Sequence, residues 1–529
     1  MSALIAAGSH RRTTAGPAWR SRATLGAIVL TGVGAFLRFY HLAHQGFWFD
    51  EGNTALLVRF SPGKMLGLIP QSESTPPLYY IVAWVWSRIF GNSEAGLRSL
   101  SALAGVLVIP VAYATAAKFA NTRTGLIVAA LTATSPLLIW YSQEARSYEL
   151  LVLLCALSLL AFAHARDRPT PFSLAAWAFA SALALGTHYY AVVAVVPEAV
   201  WLLYERRERR SVRVAVGIVA LVGLALIPLA LSQNSTGNDN WIARTPLGPR
   251  LAQIIPQFLI GTDAPARIAL KFAAIASSLA AIGLLIWGRR SEERAPGLLA
   301  GGLALAGLAL SLLFVAAGSD SLITRNIIAL WLPAAILVGA GLAAARPRAL
   351  GIGLTLALCV IGLTATIGVA TTYDLQRPDW RPVARLLGTE PSIHPAGSVA
   401  TAPAGTLDGR AILIQHYRTL LPLSLYMPRL HFFGSAPERV IEVDVISMTA
   451  PQQPLCWWGA ACNLFPSTPQ RAFAIPGFQI ASVSHIHRFT VTRLVADHPV
   501  LLTRSEVAAA LTTTTLRRDG LLIQRFGAG

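Results

Sequence analysis

Two adjacent carboxylates follow the first long apolar segment of the chain. Asp50 and Glu51 lie in the stretch RFYHLAHQGFWFDEGNTALL, where aromatic residues surround them. A carboxylate beside an apolar surface is costly to desolvate, so this pair is a candidate general base or metal ligand. The structural alternative is that the two acids cap the N-terminus of a helix that runs from Asn53 to Phe60.

A second polar group stands between two later apolar segments, in the stretch SPLLIWYSQEARSYELLVLL. Its members are Gln143, Glu144 and Arg146, flanked by Tyr141 and Tyr148. An arginine next to aromatic rings suits a phosphate oxygen, because its planar guanidinium donates bidentate hydrogen bonds. The alternative is an ion pair of Arg146 with Glu144 or Glu149 that only satisfies the loop.

Three further residues are weaker candidates, and each has a plain structural alternative. His188, in front of Tyr189 in GTHYYAV, either contacts a substrate or belongs to an aromatic belt at a membrane interface. Arg325 in LITRN either binds an anion or snorkels at the end of a membrane span. Arg98 in SEAGLRSL either binds the same anion or pairs with Glu94, four residues earlier.

These residues are embedded in a strongly apolar sequence. Of the 529 residues, 54% are hydrophobic and 13% are charged, whereas about 25% of residues in soluble proteins are charged. Apolar segments recur between residues 24 and 371, and each is long enough to cross a bilayer core of about 30 Å as a helix. We predict about eleven transmembrane helices, near residues 24–40, 98–117, 124–140, 149–165, 172–187, 189–204, 213–231, 268–288, 297–317, 327–345 and 350–371.

The basic residues predict how these helices are oriented. The formal net charge is +18, and the arginines cluster in short connections such as the ERRERR run at 205–210 rather than along one surface. This pattern places those connections in the cytoplasm, together with the N-terminus, and argues against nucleic acid as a partner. The apolar stretch at 77–90 has only about 14 residues, so we place it in the interface plane, within one external loop over 41–97.

With this orientation, the candidate residues all fall on the external face of the cell membrane. The segments predicted to share that face are 41–97, 141–148, the surroundings of residue 188, 232–267, 318–326 and everything after 371. The sequence therefore predicts that one external site is assembled from several connections between the spans.

The composition of the sequence changes after residue 371. Mixed polar and apolar segments with many prolines follow, so we expect a transmembrane domain over 1–371 and a separate extracytoplasmic soluble domain over 372–529. Segments such as RVIEVDVIS and LLIQRF predict a small α/β unit. A disulfide between Cys456 and Cys462 fits an oxidising compartment, whereas a zinc pair would lack the usual close partners.

As a set in this order, the motifs resemble bacterial glycosyltransferase family 39-like proteins. The resemblance rests on the DE pair, the PPLYY segment from Pro76 to Tyr80, SEAGLR, YSQEARSYEL and the THYY segment from Thr187 to Tyr190, and it covers roughly residues 24–345. This family resembles the protein O-mannosyltransferases and the aminoarabinose transferase for lipid A. The resemblance implies an all-α polytopic membrane protein of the C-type glycosyltransferase fold, with the α/β domain at its C-terminus.

The resemblance also implies an activity and its residues. A hexosyl or pentosyl unit would pass, with inversion, from a polyprenyl-phosphate donor to an envelope glycan, lipid or protein at the external face. Asp50 inherits the catalytic role, with Glu51 as its neighbour in the motif. The expected ligands of the lipid phosphate are Arg146, Arg325 and Arg98. The expected contacts to substrate are Gln143, Glu144, Tyr141, His188 and Tyr189.

In one place this sequence departs from the family pattern. Many relatives have His or Glu directly before the PPL turn, whereas Thr75 stands there in this chain and Glu73 lies two residues earlier. For this chain the resemblance therefore implies no metal or acceptor role at that position. A divalent metal could assist as a Lewis acid, but the sequence contains no convincing ligand cluster.

Two other functions compete with sugar transfer. A lipid flippase or transporter also places ionisable residues among membrane helices. We expect no charged residue near mid-span and no inverted repeat, and both expectations favour the enzyme. A non-catalytic scaffold would leave the DE and QEAR segments unexplained.

Overall fold

The computed structural model describes residues 17–287, 291–388, 409–414, 420–427, 429–448, 475–487, 489–509 and 521–525. Helices make up most of the described residues between 17 and 387. In chain order the helices are α1 (Pro17–Phe39), α2 (Phe49–Leu57), α3 (Pro62–Ser72), α4 (Leu78–Phe90), α5 (Glu94–Phe119), α6 (Thr122–Thr134), α7 (Pro136–Ser142), α8 (Tyr148–Asp167), α9 (Pro171–Thr187), α10 (Val192–Arg206), α11 (Arg210–Ala225), α12 (Ile227–Asn234), α13 (Asn240–Ala243), α14 (Leu247–Ile260), α15 (Arg267–Trp287), α16 (Ser291–Ala316), α17 (Trp331–Ala344), α18 (Arg348–Thr371), α19 (Trp380–Leu387), α20 (Leu420–Ser424) and α21 (Arg504–Ala509).

Seven helical stretches in the described ranges are long and apolar enough to cross a membrane. They are Arg22–Phe39, Glu94–Phe119, Tyr148–Asp167, Arg210–Asn234, Arg267–Trp287, Arg294–Ala316 and Arg348–Thr371. The pair α6 and α7, bent by 55°, makes an eighth if it counts as one span. The prediction of a polytopic α-helical fold is confirmed, but the number eleven is not. Three of the eleven predicted spans account for the difference in number. They correspond to α9, α10 and α17, which have 17, 15 and 14 residues. Each of these helices is shorter than the thickness of a bilayer core, about 30 Å.

The bend between α6 and α7 has a chemical cause. Pro136 has no N–H, so the carbonyl of Thr132 loses its helical partner, and the bend frees the carbonyl of Ala133 as well. Arg38 of α1 donates to both carbonyls, with Nη2 at 2.9 Å from Thr132 and Nη1 at 3.1 Å from Ala133. The buried arginine thereby fixes α7, which leads directly into the QEAR connection.

The loop over 41–97, which we predicted to be external, contains three helices, α2, α3 and α4. The last of these covers the stretch that we predicted to lie in the interface plane. Ile81, Val85 and Ile89 are spaced by four and are exposed, whereas Tyr79 and Tyr80 are fully buried. A 13-residue helix with one outward apolar face suits a membrane interface and is too short to cross the bilayer.

One expectation about the spans is wrong. Glu198 is buried in the middle of α10, so the span that we predicted over 189–204 does contain an ionisable residue near its middle. Its Oε2 atom accepts hydrogen bonds from Ser158 Oγ at 2.6 Å and from Trp177 Nε1 at 2.8 Å. Because these partners lie on α8 and α9, the carboxyl group joins three helices, and side-chain hydrogen bonds of this kind hold membrane helices together.

The described residues of the C-terminal part contain a six-stranded mixed sheet. Its strands are β1 (Gly409–Ile414), β2 (Leu430–Phe432), β3 (Glu438–Met448), β4 (Gln479–Ile486), β5 (Phe489–Leu502) and β6 (Leu521–Arg525). The order is β2-β6-β1-β3-β5-β4, with β1 parallel to β3 and all other neighbours antiparallel. Trp380 of α19 and Leu423 of α20 pack with Ile412 of β1 in one buried cluster. The predicted α/β unit is confirmed, while Cys456 and Cys462 lie outside the described residues.

The C-terminal part contacts the loop over 41–97 just before the DE pair. Asp379 Oδ1 accepts a hydrogen bond from the backbone N of Gly46 at 2.9 Å. The hydroxyl of Tyr426 accepts from the backbone N of Phe47 at 2.6 Å and donates to Glu94 Oε1 at 2.7 Å. Since these bonds hold the backbone that leads into α2, the C-terminal part helps to position the candidate site.

Candidate active site

A cavity of about 800 Å³ lies where several connections between the helices meet, and this is a typical size for a small-molecule site. All six segments that we predicted to share the external face contribute to it. Its walls come from 49–53, 72–75, 146–148, 188–190, 230–243 and 317–326, with Leu421 and Phe432 from the C-terminal part. The residues of these segments span almost 400 positions of the chain, so the fold is what brings them together.

Asp50 stands in the first turn of α2 at the wall of this cavity. Its Oδ2 atom accepts a hydrogen bond from Nη1 of Arg325 at 2.9 Å, and both side chains keep part of their surface exposed, 17% for Asp50 and 22% for Arg325. Carboxylates near a helix N-terminus are stabilised by the helix dipole. The structure therefore presents an accessible carboxylate next to a cation, which is an arrangement that can accept a proton.

Two aromatic rings surround the guanidinium of Arg325. Its Cζ atom lies 5.6 Å from the ring centre of Tyr148 and 5.6 Å from that of Trp241, within the range of cation–π attraction. Burial lowers the pKa of Arg325, but Tyr148 and Asp50 raise it by more, so the pKa lies above its usual value. The side chain remains a cation at the cavity wall.

Arg146 also lines the cavity, and its partner is neither of the residues that the sequence offered. Its Nη1 atom donates to both carboxylate oxygens of Glu73, at 3.1 and 3.0 Å, and to the backbone carbonyl of Asp50 at 3.3 Å. Asn53 Nδ2 donates to Glu73 Oε1 at 2.6 Å. The buried ion pair of Arg146 and Glu73 thus lies next to the backbone of the DE pair.

His188 lines the cavity as a neutral ring. Its Nδ1 atom accepts from the backbone N of Tyr190 at 3.1 Å, and burial, followed by Arg146 and Arg325, lowers its pKa to about 3. The neighbouring Tyr189 also lines the cavity, and its hydroxyl donates to Gln233 Oε1 at 2.7 Å. His188 therefore contributes a polar, uncharged contact.

Glu51 and Arg98 do not line the cavity. Arg98 donates to both oxygens of Glu51, with Nε at 2.7 Å and Nη2 at 2.6 Å, and the pair is buried. The remaining donors of Arg98 bond the carbonyls of Leu42, Gln45 and Gly46. Burial raises the pKa of Glu51, but Arg98 lowers it by more, so the carboxylate stays ionised. This pair holds the loop together, so the capping alternative fits Glu51, whose Oε2 atom also accepts from Trp48 N at 3.4 Å.

Three predicted substrate contacts also lie behind the cavity wall. Gln143 Nε2 donates to the backbone carbonyl of Tyr40 at 3.0 Å, just past the end of α1. Glu144 Oε2 accepts from Arg377 Nη2 at 2.8 Å, and burial raises the pKa of Glu144 to about 7. The ring of Tyr141 is buried, with its centre 4.9 Å from that of Tyr148. These residues support the site from outside the cavity.

The sequence reasoning missed several polar residues of the cavity. They lie in two runs, QNSTGNDNW at 233–241 and SDSLITRN at 319–326. The density of Asn, Asp and Ser next to apolar spans was the signal that could have found them. In the first run Gln233 Nε2 donates to the backbone carbonyl of Thr75 at 3.0 Å, and in the second Ser321 Oγ donates to Asp239 Oδ2 at 2.9 Å.

The described part of the chain contains no group of three or more His, Cys, Asp or Glu residues that could hold a metal ion. Two carboxylates of the cavity wall have cationic partners, Asp50 with Arg325 and Glu73 with Arg146.

Known proteins share this architecture. Residues 74–232 match the family model described as dolichyl-phosphate-mannose-protein mannosyltransferase. The solved structure of ArnT from Cupriavidus metallidurans in the apo state is similar to this chain, with a TM-score of 0.51 and 14% identity, over 90% of this chain and 98% of that one. This chain has the C-type membrane glycosyltransferase fold. The resemblance to glycosyltransferase family 39-like proteins is confirmed.

Two other solved structures of glycosyltransferases are also similar. The arabinosyltransferase EmbB from Mycobacterium smegmatis is 10% identical with a TM-score of 0.43, over 98% of this chain and 65% of that one. The protein O-mannosyltransferase Pmt1-Pmt2 complex of S. cerevisiae is 17% identical with a TM-score of 0.30, over 40% of this chain and 32% of that one. No curated protein matches this chain.

Proposed function

We propose that this protein transfers a sugar from a polyprenyl-phosphate donor to an acceptor of the cell envelope, at the external face of the membrane and with inversion. The observation that carries the proposal is the pairing of Asp50 with Arg325 at the wall of a cavity next to Arg146. The family model that residues 74–232 match is described by a polyprenyl-phosphate-linked sugar, dolichyl-phosphate-mannose. That description supports the choice of donor.

The two arginines supply the phosphate-binding part of the proposal. The Nε atoms of Arg146 and Arg325 are buried and have no hydrogen-bond partner within the described residues. Because these atoms are buried, a phosphate in the cavity would contact the exposed part of each side chain, 10% for Arg146 and 22% for Arg325. Guanidinium groups bind phosphate oxygens with charge-assisted hydrogen bonds.

Asp50 supplies the base. In the proposed reaction its carboxylate takes the proton of an acceptor hydroxyl while that oxygen forms a bond to the anomeric carbon. The bond from the anomeric carbon to the phosphate oxygen breaks, and polyprenyl phosphate leaves with the electron pair. Inversion needs the base and the leaving group on opposite sides of the sugar, by the geometry of inverting hydrolases. The arginines then stabilise the charge that grows on the leaving phosphate.

The donor sugar has polar partners available in the same cavity. Asn53, Asn238 and Asn326 line it together with the carboxylates of Asp239 and Asp320. Amide and carboxylate groups are suitable hydrogen-bond partners for sugar hydroxyls. The cavity thus offers cationic donors for a phosphate and separate polar groups for a sugar.

Sugar transfer in reconstituted membranes tests the proposal. The protein is placed in liposomes with a panel of radiolabelled polyprenyl-phosphate sugars and a membrane extract as acceptor. We expect transfer from at least one donor by the wild type, and a loss of at least about 100-fold for Asp50→Asn. Asp497→Asn, an exposed carboxylate of β5, is the matched control and should retain wild-type transfer.

The competing flippase function gives a different result in the same liposomes. If the wild type moves the labelled donor between leaflets and forms no glycosidic product with any donor, the transferase proposal fails. Equal transfer by the wild type and Asp50→Asn would remove Asp50 as the base.

A further inference from the structure

An ion pair at the cavity wall joins Asp320, which lines the cavity, to Arg250, which has no role in the proposed chemistry. Arg250 of α14 donates from Nη1 to Asp320 Oδ1 and from Nη2 to Asp320 Oδ2, both at 2.6 Å. The side chain of Arg250 is 1% exposed and that of Asp320 is 19% exposed. Two parallel bonds of this kind fix both position and orientation.

Arg250 holds the segment 319–326 at a second point. The same Nη1 atom donates to the backbone carbonyl of Leu322 at 2.9 Å. Within the segment, Asn326 Nδ2 donates to the backbone carbonyl of Ser321 at 2.7 Å. The conformation of this short connection is therefore set by one buried guanidinium and by internal hydrogen bonds.

This connection carries Arg325, the partner of Asp50. Arg325 lies three residues after Leu322, so any displacement of the segment moves the guanidinium that faces Asp50. A buried ion pair contributes little net stability, because the cost of desolvation offsets the attraction, but it can specify one conformation. The pair is thus better explained by what it positions than by the stability that it adds.

We propose that Arg250 and Asp320 are positioning residues, which fix the segment 319–326 so that Arg325 meets both Asp50 and the phosphate of the donor. The inference rests on the proposed function for its kinetic consequence. Its structural half, the fixing of the segment, stands independently of any activity.

Hydrogen–deuterium exchange tests the structural half. Arg250→Lys keeps the positive charge but loses the planar fork, so the backbone amides of 319–326 should exchange at least about 10-fold faster. The matched control is Arg267→Lys at the start of α15, where Arg267 also forms an ion pair with an aspartate, Asp263, at 3.6 Å. The control should leave exchange in 319–326 unchanged. Equal exchange in the wild type and Arg250→Lys would overturn the proposal.

A double-mutant cycle tests whether Arg250 acts through Arg325. In liposomes, Arg250→Lys should lower kcat/KM at least about 10-fold while Arg267→Lys does not. When Arg325→Lys is already present, the further loss from Arg250→Lys should shrink to less than about 2-fold, because residues that act through one another are not additive. A loss of the same size in both backgrounds would mean that Arg250 is merely structural and would overturn the inference.

The two proposals fail in different ways. If the wild type transfers no sugar but Arg250→Lys still accelerates exchange in 319–326, the proposed function fails and the positioning of the segment is supported. If the wild type is active and Arg250→Lys matches Arg267→Lys in both measurements, the transferase remains and the positioning role is refuted.

Discussion

Asp50 Oδ2 and Arg325 Nη1 lie 2.9 Å apart, although 275 positions separate the two residues in the chain. Asp50 follows the first span, whereas Arg325 precedes α17, so the contact joins the two ends of the membrane domain. A guanidinium has five N–H donors, and the contact to Asp50 uses Nη1. In the proposed reaction Arg325 therefore contacts the phosphate with its other donors while Nη1 stays on Asp50.

Replacement of Arg325 by lysine should separate charge from geometry. Lysine keeps the positive charge but cannot donate from a planar fork, so we expect the donor KM to rise and kcat to fall, with kcat/KM lower by about 10- to 100-fold. Initial rates over a range of donor concentrations measure both parameters. Arg207→Lys, an exposed arginine paired with Glu208, is the control. Unchanged kinetics in Arg325→Lys would exclude a role of Arg325 at the phosphate.

Replacement of Arg98 should reduce stability. Arg98→Ala leaves Glu51 as a buried carboxylate without its cation, and breaking a buried pair in this way costs about 3–5 kcal/mol. The unfolding midpoint in detergent should fall strongly, and a double variant with Arg98→Met and Glu51→Gln should recover part of the loss. If Arg98→Ala instead kept the wild-type midpoint and raised only the donor KM, Arg98 would be a phosphate ligand after all.

Hydropathy made much of the membrane fold predictable, because the signal for a span is local in the sequence. The polar cavity residues Asp50, Arg146, Arg325 and His188 were also found from the sequence, since polar groups beside apolar spans are costly and stand out. The number of spans was harder to predict from the sequence. The short helices α9, α10 and α17 lie in apolar stretches of the sequence. Hydropathy does not show where a helix ends within such a stretch, so all three were counted as spans.

The partners of the charged residues were not predictable from the sequence. Sequence spacing offered Glu94 for Arg98, whereas the fold places Glu51 there, 47 positions away. In the same way Arg146 pairs with Glu73, 73 positions away. Helical spacing predicts contacts within one helix, but each of these pairs joins two separate segments of the fold, and tertiary packing decides which partners meet.

The carboxyl group of Glu144 should make stability depend on pH. Burial raises its pKa from 4.5 to about 7, although Arg377 lowers it. Between these two values the folded protein keeps a proton that the unfolded chain releases, so this group lowers the free energy of unfolding as pH rises through that window, by at most about 1.4 kcal/mol per pH unit. Above pH 7 the effect is constant.

Unfolding midpoints of the wild type and Glu144→Gln from pH 4.5 to 8 measure this effect. The glutamine cannot titrate, so the wild type should lose stability relative to Glu144→Gln as pH rises to about 7. Glu205→Gln, in the basic run at 205–210, is the control and should follow the wild type. A relative gain of wild-type stability with rising pH would mean that the ion pair with Arg377 outweighs burial.

The hydroxyl of Tyr426 should connect the C-terminal part to the segment that leads into α2 and Asp50. Tyr426→Phe removes the acceptor of the Phe47 backbone N–H and a donor to Glu94, and an unpaired buried group costs about 1–3 kcal/mol. Phe47 precedes Asp50 by three residues, so we expect faster amide exchange around Phe47 and lower sugar transfer. Tyr373→Phe is the matched control, because the Tyr373 ring stacks on His487 at 3.7 Å and phenylalanine preserves that ring. If both variants left exchange and transfer unchanged, the contact would be incidental to the position of Asp50, and the C-terminal part would have to influence the site through Arg377 and Glu144 instead.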